Sequence, residues 1–220
     1  MKLIIMDFDG PINDLIEAKR ITIKKISRKL KLSFSDEASW ALINYIDQIY
    51  ENKKIYDYKK LIIMSLDKLQ KIQLTNLSKK EKVEFANMFF GILNKNQNIN
   101  ISTIESIMSV KNLYPSVKIC IYTSQKNKDV IKCLRDQNLN IKLFDKIYGS
   151  DYFNESKPSI VNLNRICEEF NTNPKEVVVI GDNVTVDLAP ASYLGMKTIL
   201  LNKFITKTIS STSELVSSLR

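Results

Sequence analysis

Short apolar segments alternate with longer amphipathic ones along much of this chain. The apolar segments are rich in β-branched residues and end abruptly in polar ones, as strands buried inside a parallel sheet do. Four are clear and a fifth is weaker: residues 3–6, 117–122, 177–180 and 198–201, with 146–149 as the weaker one. Apolar residues at helical spacing over 130–137 and 160–170 predict helices between them. The pattern predicts an α/β fold, a doubly wound, Rossmann-like parallel sheet in the order 5-4-1-2-3.

Residues 14–95 follow a different pattern, without a convincing strand. Apolar residues recur there at helical spacing, as Ile23 and Ile26 illustrate. We therefore predict a helical insert after the first strand. The chain would then divide into an α/β core, residues 1–13 and 96–220, and the inserted helical domain.

The composition removes several kinds of chemistry. The chain has 220 residues, 44% of them hydrophobic, and no histidine. Without histidine it has neither a Ser-His-Asp nor a Cys-His triad, nor a histidine-bound zinc site. No apolar run approaches the roughly 18 residues that a membrane span needs, so we expect no membrane partner. Three widely separated cysteines and an N-terminus that soon reaches acidic residues predict a cytoplasmic protein.

Positive charge is concentrated in the helical insert. The formal net charge is +9, and residues 14–95 hold 17 Lys and Arg against 10 Asp and Glu. Seven of these basic residues fall within residues 19–31. They could form a surface for nucleic acid or another anionic ligand, or a solvated helix face opposite Ile23 and Ile26. We favour the solvated face and expect no nucleic-acid partner.

Reactive side chains follow the ends of four predicted strands. They are Asp7 and Asp9 after the first, Thr123 and Ser124 after the second, Lys157 after the third, and Asp182 with Asp187 after the fourth. Ligands of open α/β sheets bind at the carboxyl ends of the strands, so these segments should converge on one crevice. A carboxylate cluster without histidine or thiolate suits Mg²⁺. A carboxylate can also be a nucleophile toward phosphorus.

Four motifs at these strand ends resemble, in order, those of the haloacid dehalogenase-like (HAD) hydrolase superfamily, which consists mostly of Mg²⁺-dependent phosphatases. The motifs are Asp7-Phe8-Asp9-Gly10, Ile121-Tyr122-Thr123-Ser124, Lys157-Pro158, and Gly181-Asp182 with Asp187. Each is short, and it is their order at the ends of the right elements that makes the resemblance specific. The resemblance covers the predicted core. It implies that the insert is a cap domain of the type placed between the first and second motifs.

The resemblance also implies catalytic and substrate-binding roles. Asp7 would be the nucleophile that forms an aspartyl-phosphate. Asp9 would protonate the leaving oxygen and then deprotonate the attacking water. The phosphoryl group would be held by Thr123, Ser124 and Lys157.

The metal site implied by the resemblance is made of oxygen atoms alone. Mg²⁺ would be bound by Asp7, by the backbone carbonyl of Asp9 and by Asp182. Asp187 would contact these ligands rather than the ion.

Two hypotheses for the function follow. The first is a Mg²⁺-dependent phosphomonoesterase that acts on a small phosphorylated metabolite. The presence of Asp9 separates the chain from the dehalogenases of the superfamily, which lack the second aspartate of the first motif. The alternative is a catalytically idle protein of the same fold that binds a polyanion through its basic cap.

Overall fold

The computed structural model describes residues 1–53 and 57–201, which form two compact units. One unit combines Met1–Asp14 with residues 98–201, and the other is Leu15–Gln97. That the second unit acts as a cap stays a prediction.

Four amphipathic helices build the second unit. They are α1 (Leu15–Leu30), α2 (Asp36–Lys53), α3 (Tyr58–Lys71) and α4 (Lys79–Asn96). Their apolar faces share one core, to which Ile26, Leu42 and Leu66 contribute buried side chains from the first three helices. Phe85 of α4 is fully buried in it and stacks on Phe34 with ring centroids 5.6 Å apart. The helical periodicity of this part of the sequence thus matches the packing.

The basic run on α1 is not entirely a solvated face, and the prediction is wrong at Lys19. Lys19 lies four residues before Ile23, on the apolar side of the helix, and it is only 7% exposed. Its ammonium group forms an ion pair with Asp47 of α2. A long lysine stem can pack among apolar residues while its charged end reaches a carboxylate.

The first unit contains a five-stranded parallel sheet in the order β3-β2-β1-β4-β5, which confirms the predicted order read from the opposite edge. The strands are β1 (Leu3–Met6), β2 (Lys118–Tyr122), β3 (Lys146–Tyr148), β4 (Val177–Gly181) and β5 (Lys197–Leu200). Because β1 pairs with both β2 and β4, the chain starts in the middle of the sheet. Asp7 therefore follows the central strand, at the point where the strand order reverses.

Helices pack on the two faces of this sheet. They are α5 (Ile101–Leu113), α6 (Asn127–Asp136), α7 (Ile160–Glu169) and α8 (Ala189–Tyr193). Alternate residues of β1 point to opposite faces, as a pleated strand requires. Ile4 joins the core cluster that includes α5 and α6, whereas Ile5 joins the cluster that includes α7 and α8. No helix within residues 1–53 and 57–201 is both long enough and apolar enough to span a membrane.

We predict that Phe85→Ala lowers the free energy of unfolding by about 3–5 kcal/mol. The substitution removes a fully buried aromatic ring and leaves a cavity in the core of the helical unit. Val83→Ala, at an exposed position of the same helix, is the control and should change stability by less than about 0.5 kcal/mol. Urea denaturation followed by circular dichroism measures both. Equal effects of the two variants would contradict this packing.

Candidate functional site

The first motif turns the chain sharply at the end of β1. The backbone N–H of Asp7 still donates to the carbonyl of Ile180 on β4, at 2.8 Å. Phe8 is fully buried among the apolar residues of the sheet. Asp7 and Asp9 are two residues apart, on either side of that buried ring, and both remain partly exposed. The alternation of the strand thus continues far enough to leave both carboxylates outside the core.

Gly10 allows the fourth motif to approach the first. Its φ is +90°, a backbone conformation that residues with a side chain rarely adopt. A Cβ atom at this position would lie 2.2 Å from the Oδ2 atom of Asp182. Gly181 has a similar constraint, because a Cβ there would lie 2.5 Å from the Cβ of Asp187. These two glycines therefore let the carboxylates of the fourth motif lie directly against the backbone.

The Lys157 ammonium group lies between two of the predicted site carboxylates. Its Nζ donates to Oδ1 of Asp7 and to Oδ1 of Asp187, at 2.8 Å each. It also lies 4.7 Å from the centre of the Tyr122 ring, at the end of β2. The Lys157 side chain is only 4% exposed. Three chain-distant segments therefore meet at one buried positive charge.

Burial and mutual repulsion set the electrostatics of the carboxylates. Burial raises the pKa of Asp7 well above its ordinary value, and Lys157 opposes this while Asp187 and Asp9 add to it. Burial, together with the charges of Asp187 and Asp9, raises the pKa of Asp182 to about 7. Burial alone would lower the pKa of Lys157, but the carboxylates of Asp7 and Asp187 outweigh it and raise that pKa. Lys157 therefore stays protonated.

The carboxylate oxygens of this cluster are suited to binding a metal ion in addition to the Lys157 ammonium group. Carboxylate oxygens of Asp7, Asp182 and Asp187 lie within 4.8 Å of one another. One ammonium group cannot compensate three crowded, partly desolvated carboxylates. All the donors are hard oxygen atoms, which suits a divalent ion such as Mg²⁺.

The carboxylate of Asp9 is held by two amide side chains. Gln125 Nε2 donates to both of its oxygens, at 2.9 and 2.7 Å. Asn13 Nδ2 donates to Oδ1 at 2.8 Å. Asn13 itself is fully buried, and its backbone is tied into the turn by the N–H of Gly10. Asp9 thus has a fixed orientation, set by one residue of its own loop and one from beyond β2.

The second motif places Thr123 and Ser124 differently. Thr123 is buried, its N–H donates to the carbonyl of Tyr148, and its hydroxyl accepts a hydrogen bond from the N–H of Gln125. Ser124 is exposed at the bend that follows. Thr123 is therefore connected to Asp9 through Gln125, whereas no described hydrogen bond joins Ser124 to the other predicted site residues.

The sequence pattern does not single out Gln125, Asn13 or the contact between Tyr122 and Lys157. The sequence offers one signal for Gln125, which is an amide side chain two residues beyond Thr123, just after a predicted strand. Its partner Asp9 lies 116 residues away, and nothing in the sequence pattern relates the two.

Comparisons with known proteins find similarity over nearly the whole chain. The family model described as haloacid dehalogenase-like hydrolase matches residues 4–201. No curated protein matches the chain. Among solved structures, YfnB from Bacillus subtilis, described as a HAD-hydrolase candidate bound to magnesium, has a TM-score of 0.74 at 16% identity. The match covers 100% of this chain and 98% of that one.

Two further solved structures are similar over their whole length. A predicted phosphoglycolate phosphatase from Haemophilus somnus has a TM-score of 0.67 at 18% identity. A HAD phosphatase from Thermococcus onnurineus has a TM-score of 0.58 at 21% identity. Each match covers 100% of this chain and 98% of the other. At these identities the likeness establishes the fold.

We predict that Gly10→Ala destabilises the protein by at least about 1 kcal/mol. The positive φ costs an alanine about 1–2 kcal/mol, and the new methyl group must also displace Asp182. Gly91→Ala is the matched control, because Gly91 lies within α4 with open space around it. That variant should be stabilised by about 0.5–1 kcal/mol. Chemical denaturation of both variants measures the difference, and a neutral Gly10→Ala would contradict the close approach.

Proposed function

Because the chain belongs to the haloacid dehalogenase-like hydrolase family, we propose that it is a Mg²⁺-dependent phosphomonoesterase that hydrolyses a small organic phosphate through a phosphorylated Asp7. The observation that carries the proposal is the position of Lys157, buried between Asp7 and Asp187. A buried ammonium group beside a carboxylate nucleophile is suited to a dianionic phosphoryl group. Small phosphorylated metabolites are the substrate class that this chemistry serves.

The first step transfers the phosphoryl group to Asp7. An oxygen of Asp7 attacks phosphorus, and the bond from phosphorus to the leaving oxygen breaks. Asp9 gives a proton to that oxygen, so the product leaves as an alcohol. Lys157 and the hydroxyl of Thr123 donate hydrogen bonds to the phosphoryl oxygens, where negative charge must be held. Ser124 is the further candidate donor.

The second step hydrolyses the aspartyl-phosphate. Asp9, now ionised, accepts a proton from a water molecule as that water attacks phosphorus. The bond between phosphorus and Asp7 breaks, which restores both carboxyl groups and releases inorganic phosphate. The contacts from Gln125 and Asn13 keep the Asp9 carboxylate in one orientation for both proton transfers.

Asp7, the backbone carbonyl of Asp9 and Asp182 would hold Mg²⁺. When bound, the ion offsets the repulsion among the carboxylates and draws charge from the phosphoryl oxygens. Magnesium is also the ion named for the similar structure from Bacillus subtilis. In this assignment Asp187 does not bind the ion. Its Oδ1 accepts a hydrogen bond from Lys157, and its Oδ2 accepts one from the N–H of Asn183. Its function is to fix Lys157.

We predict that Asp7→Asn abolishes hydrolysis of p-nitrophenyl phosphate, whereas Asp9→Asn still forms a phosphoenzyme. The first substitution removes the nucleophile. The second removes only the proton transfers, which contribute about 10²–10⁴-fold and matter least with a good leaving group. Steady-state rates and acid-quench trapping of the phosphoenzyme measure the two effects. Equal and mild losses in both variants would refute these roles, and no turnover by the unmodified protein with Mg²⁺ would favour the idle polyanion-binding alternative.

We expect activity to require Mg²⁺ and to be inhibited by Ca²⁺. Mg²⁺ imposes a compact octahedral arrangement, whereas Ca²⁺ takes more ligands at longer distances and could draw both oxygens of Asp7 onto the ion. Rates of p-nitrophenyl phosphate hydrolysis are measured after chelation, after addition of Mg²⁺, and with Ca²⁺ added to the Mg²⁺ enzyme. Undiminished turnover in excess chelator would remove the metal from the proposal.

We further predict that Gln125→Leu lowers kcat about tenfold for an alkyl phosphate and much less for p-nitrophenyl phosphate, with KM little changed. Leucine cannot donate to Asp9, so the carboxyl group loses its orientation, and only the poor leaving group depends strongly on its proton. Lys126→Ala, at the exposed neighbouring position, is the control and should leave both rates unchanged. A loss independent of the leaving group would show that Gln125 does not act through Asp9.

A further inference from the structure

The seven basic residues of positions 19–31 divide into three groups in the folded helical unit. Lys19 is buried against Asp47. Lys25, Lys29 and Lys31 are exposed, the first of them in contact with Asn96. The remaining three, Arg20, Lys24 and Arg28, line a single cavity that is open to solvent, since Lys24 and Arg28 are themselves exposed. Since these three are four residues apart, they lie on the same face of α1.

The cavity lies wholly within the helical unit, between α1, the α1–α2 loop and the start of α2. Its volume is about 300 Å³, at the lower end of the range of small-molecule sites. The loop contributes Ser33 and Phe34, and α2 contributes Asp36 and Ser39. The cavity thus combines cationic, hydroxyl and aromatic groups and one carboxylate within a volume that a small molecule can fill.

Charge in the cavity is only partly compensated. Arg20 forms a two-point ion pair with Glu17, at 2.8 and 2.9 Å, and also interacts with Asp36. Lys24 and Arg28 form no ion pair within the described part of the chain. Like charges one helical turn apart repel each other. An anion between Lys24 and Arg28 would relieve that repulsion.

Two apolar residues also line the cavity. Phe34 is half-buried, and its ring stacks on the fully buried Phe85. Leu32 lines the same cavity. A ring fixed in this way offers a flat contact surface at little cost in side-chain entropy. The ligand that suits the cavity therefore has an anionic end and an apolar part.

We propose that this cavity of the helical unit is a binding site for a small organic phosphate. The phosphate group contacts Lys24 and Arg28, with the hydroxyl of Ser33 as a further donor, and the organic part packs on Phe34. Arginine and lysine side chains are the common binders of phosphate. The site binds without catalysing a reaction, so it does not depend on the phosphomonoesterase proposal.

The test uses the fluorescence of Trp40, the only tryptophan in the chain. It follows Ser39 of the cavity, half-buried within α2, so its emission should respond to a bound ligand. The probe is n-butylphosphonate, whose carbon–phosphorus bond the proposed active site cannot hydrolyse. The full chain is titrated with the probe, with inorganic phosphate and with a single-stranded oligonucleotide, each with and without Mg²⁺. The Asp7→Asn variant is titrated in parallel and should bind the probe equally.

Two double variants separate the cavity from the general positive charge of α1. K24Q/R28Q removes two charges from the cavity, and K29Q/K31Q removes two from exposed positions just beyond it. We expect the first to weaken n-butylphosphonate binding at least about tenfold and the second less than about twofold. Should K24Q/R28Q fail to fold by circular dichroism, the single variants K24Q and R28Q replace it, each expected to weaken binding about threefold or more.

Three results would overturn the proposal. They are equal weakening by the two double variants, no saturable change in emission up to 10 mM probe, and tighter binding of the oligonucleotide than of the probe at equal phosphate concentration. The first and third would indicate a diffuse polyanion surface on α1. Hydrolysis of p-nitrophenyl phosphate is measured separately, so failure of this site and failure of the proposed enzyme activity give different results.

Discussion

The buried ion pairs of Lys157 with Asp7 and Asp187 are the constraint on which the candidate site depends. A buried ammonium group is tolerated only when carboxylates and hydrogen-bond acceptors surround it. Here it contacts two carboxylates, one directly after β1 and one in the segment after β4, and the face of the Tyr122 ring. The same lysine would then be ready to hold a phosphoryl group. The cost of burying it thus explains why segments 150 and 30 residues apart must meet.

The sheet supplies the geometry that makes this meeting possible. Starting the chain in the central strand puts the end of β1 between the ends of β2 and β4. Gly10 and Gly181 then bring Asp182 and Asp187 against the backbone, where a methyl group would collide with them. The resulting cluster carries more negative charge than Lys157 can compensate, which is why a divalent cation is the natural complement of the site.

The helical unit illustrates a different use of charge. Its basic residues look uniform in sequence, but they have different surroundings in the fold. Lys19 is part of the packing between α1 and α2, whereas Lys24 and Arg28 face a cavity with an aromatic wall. An anionic ligand bound there would be recognised by shape as well as by charge, in contrast to the even surface expected for nucleic-acid binding.

The order and position of the motifs made the fold, and the meeting of Asp7, Lys157 and Asp187, predictable from the sequence alone. The apolar runs located all five strands within a residue or two of their ends. The central strands β1 and β4 are the clearest, because they are buried throughout and therefore continuously apolar. Asp7, Asp9, Lys157 and Asp182 followed as the polar residues at those strand ends. Three things needed the tertiary structure: the clamp of Gln125 on Asp9, the contact of Tyr122 with Lys157, and the burial of Lys19. Each depends on the distance between side chains on different elements, and periodicity along a chain reports which face a residue occupies but not which partner it meets there.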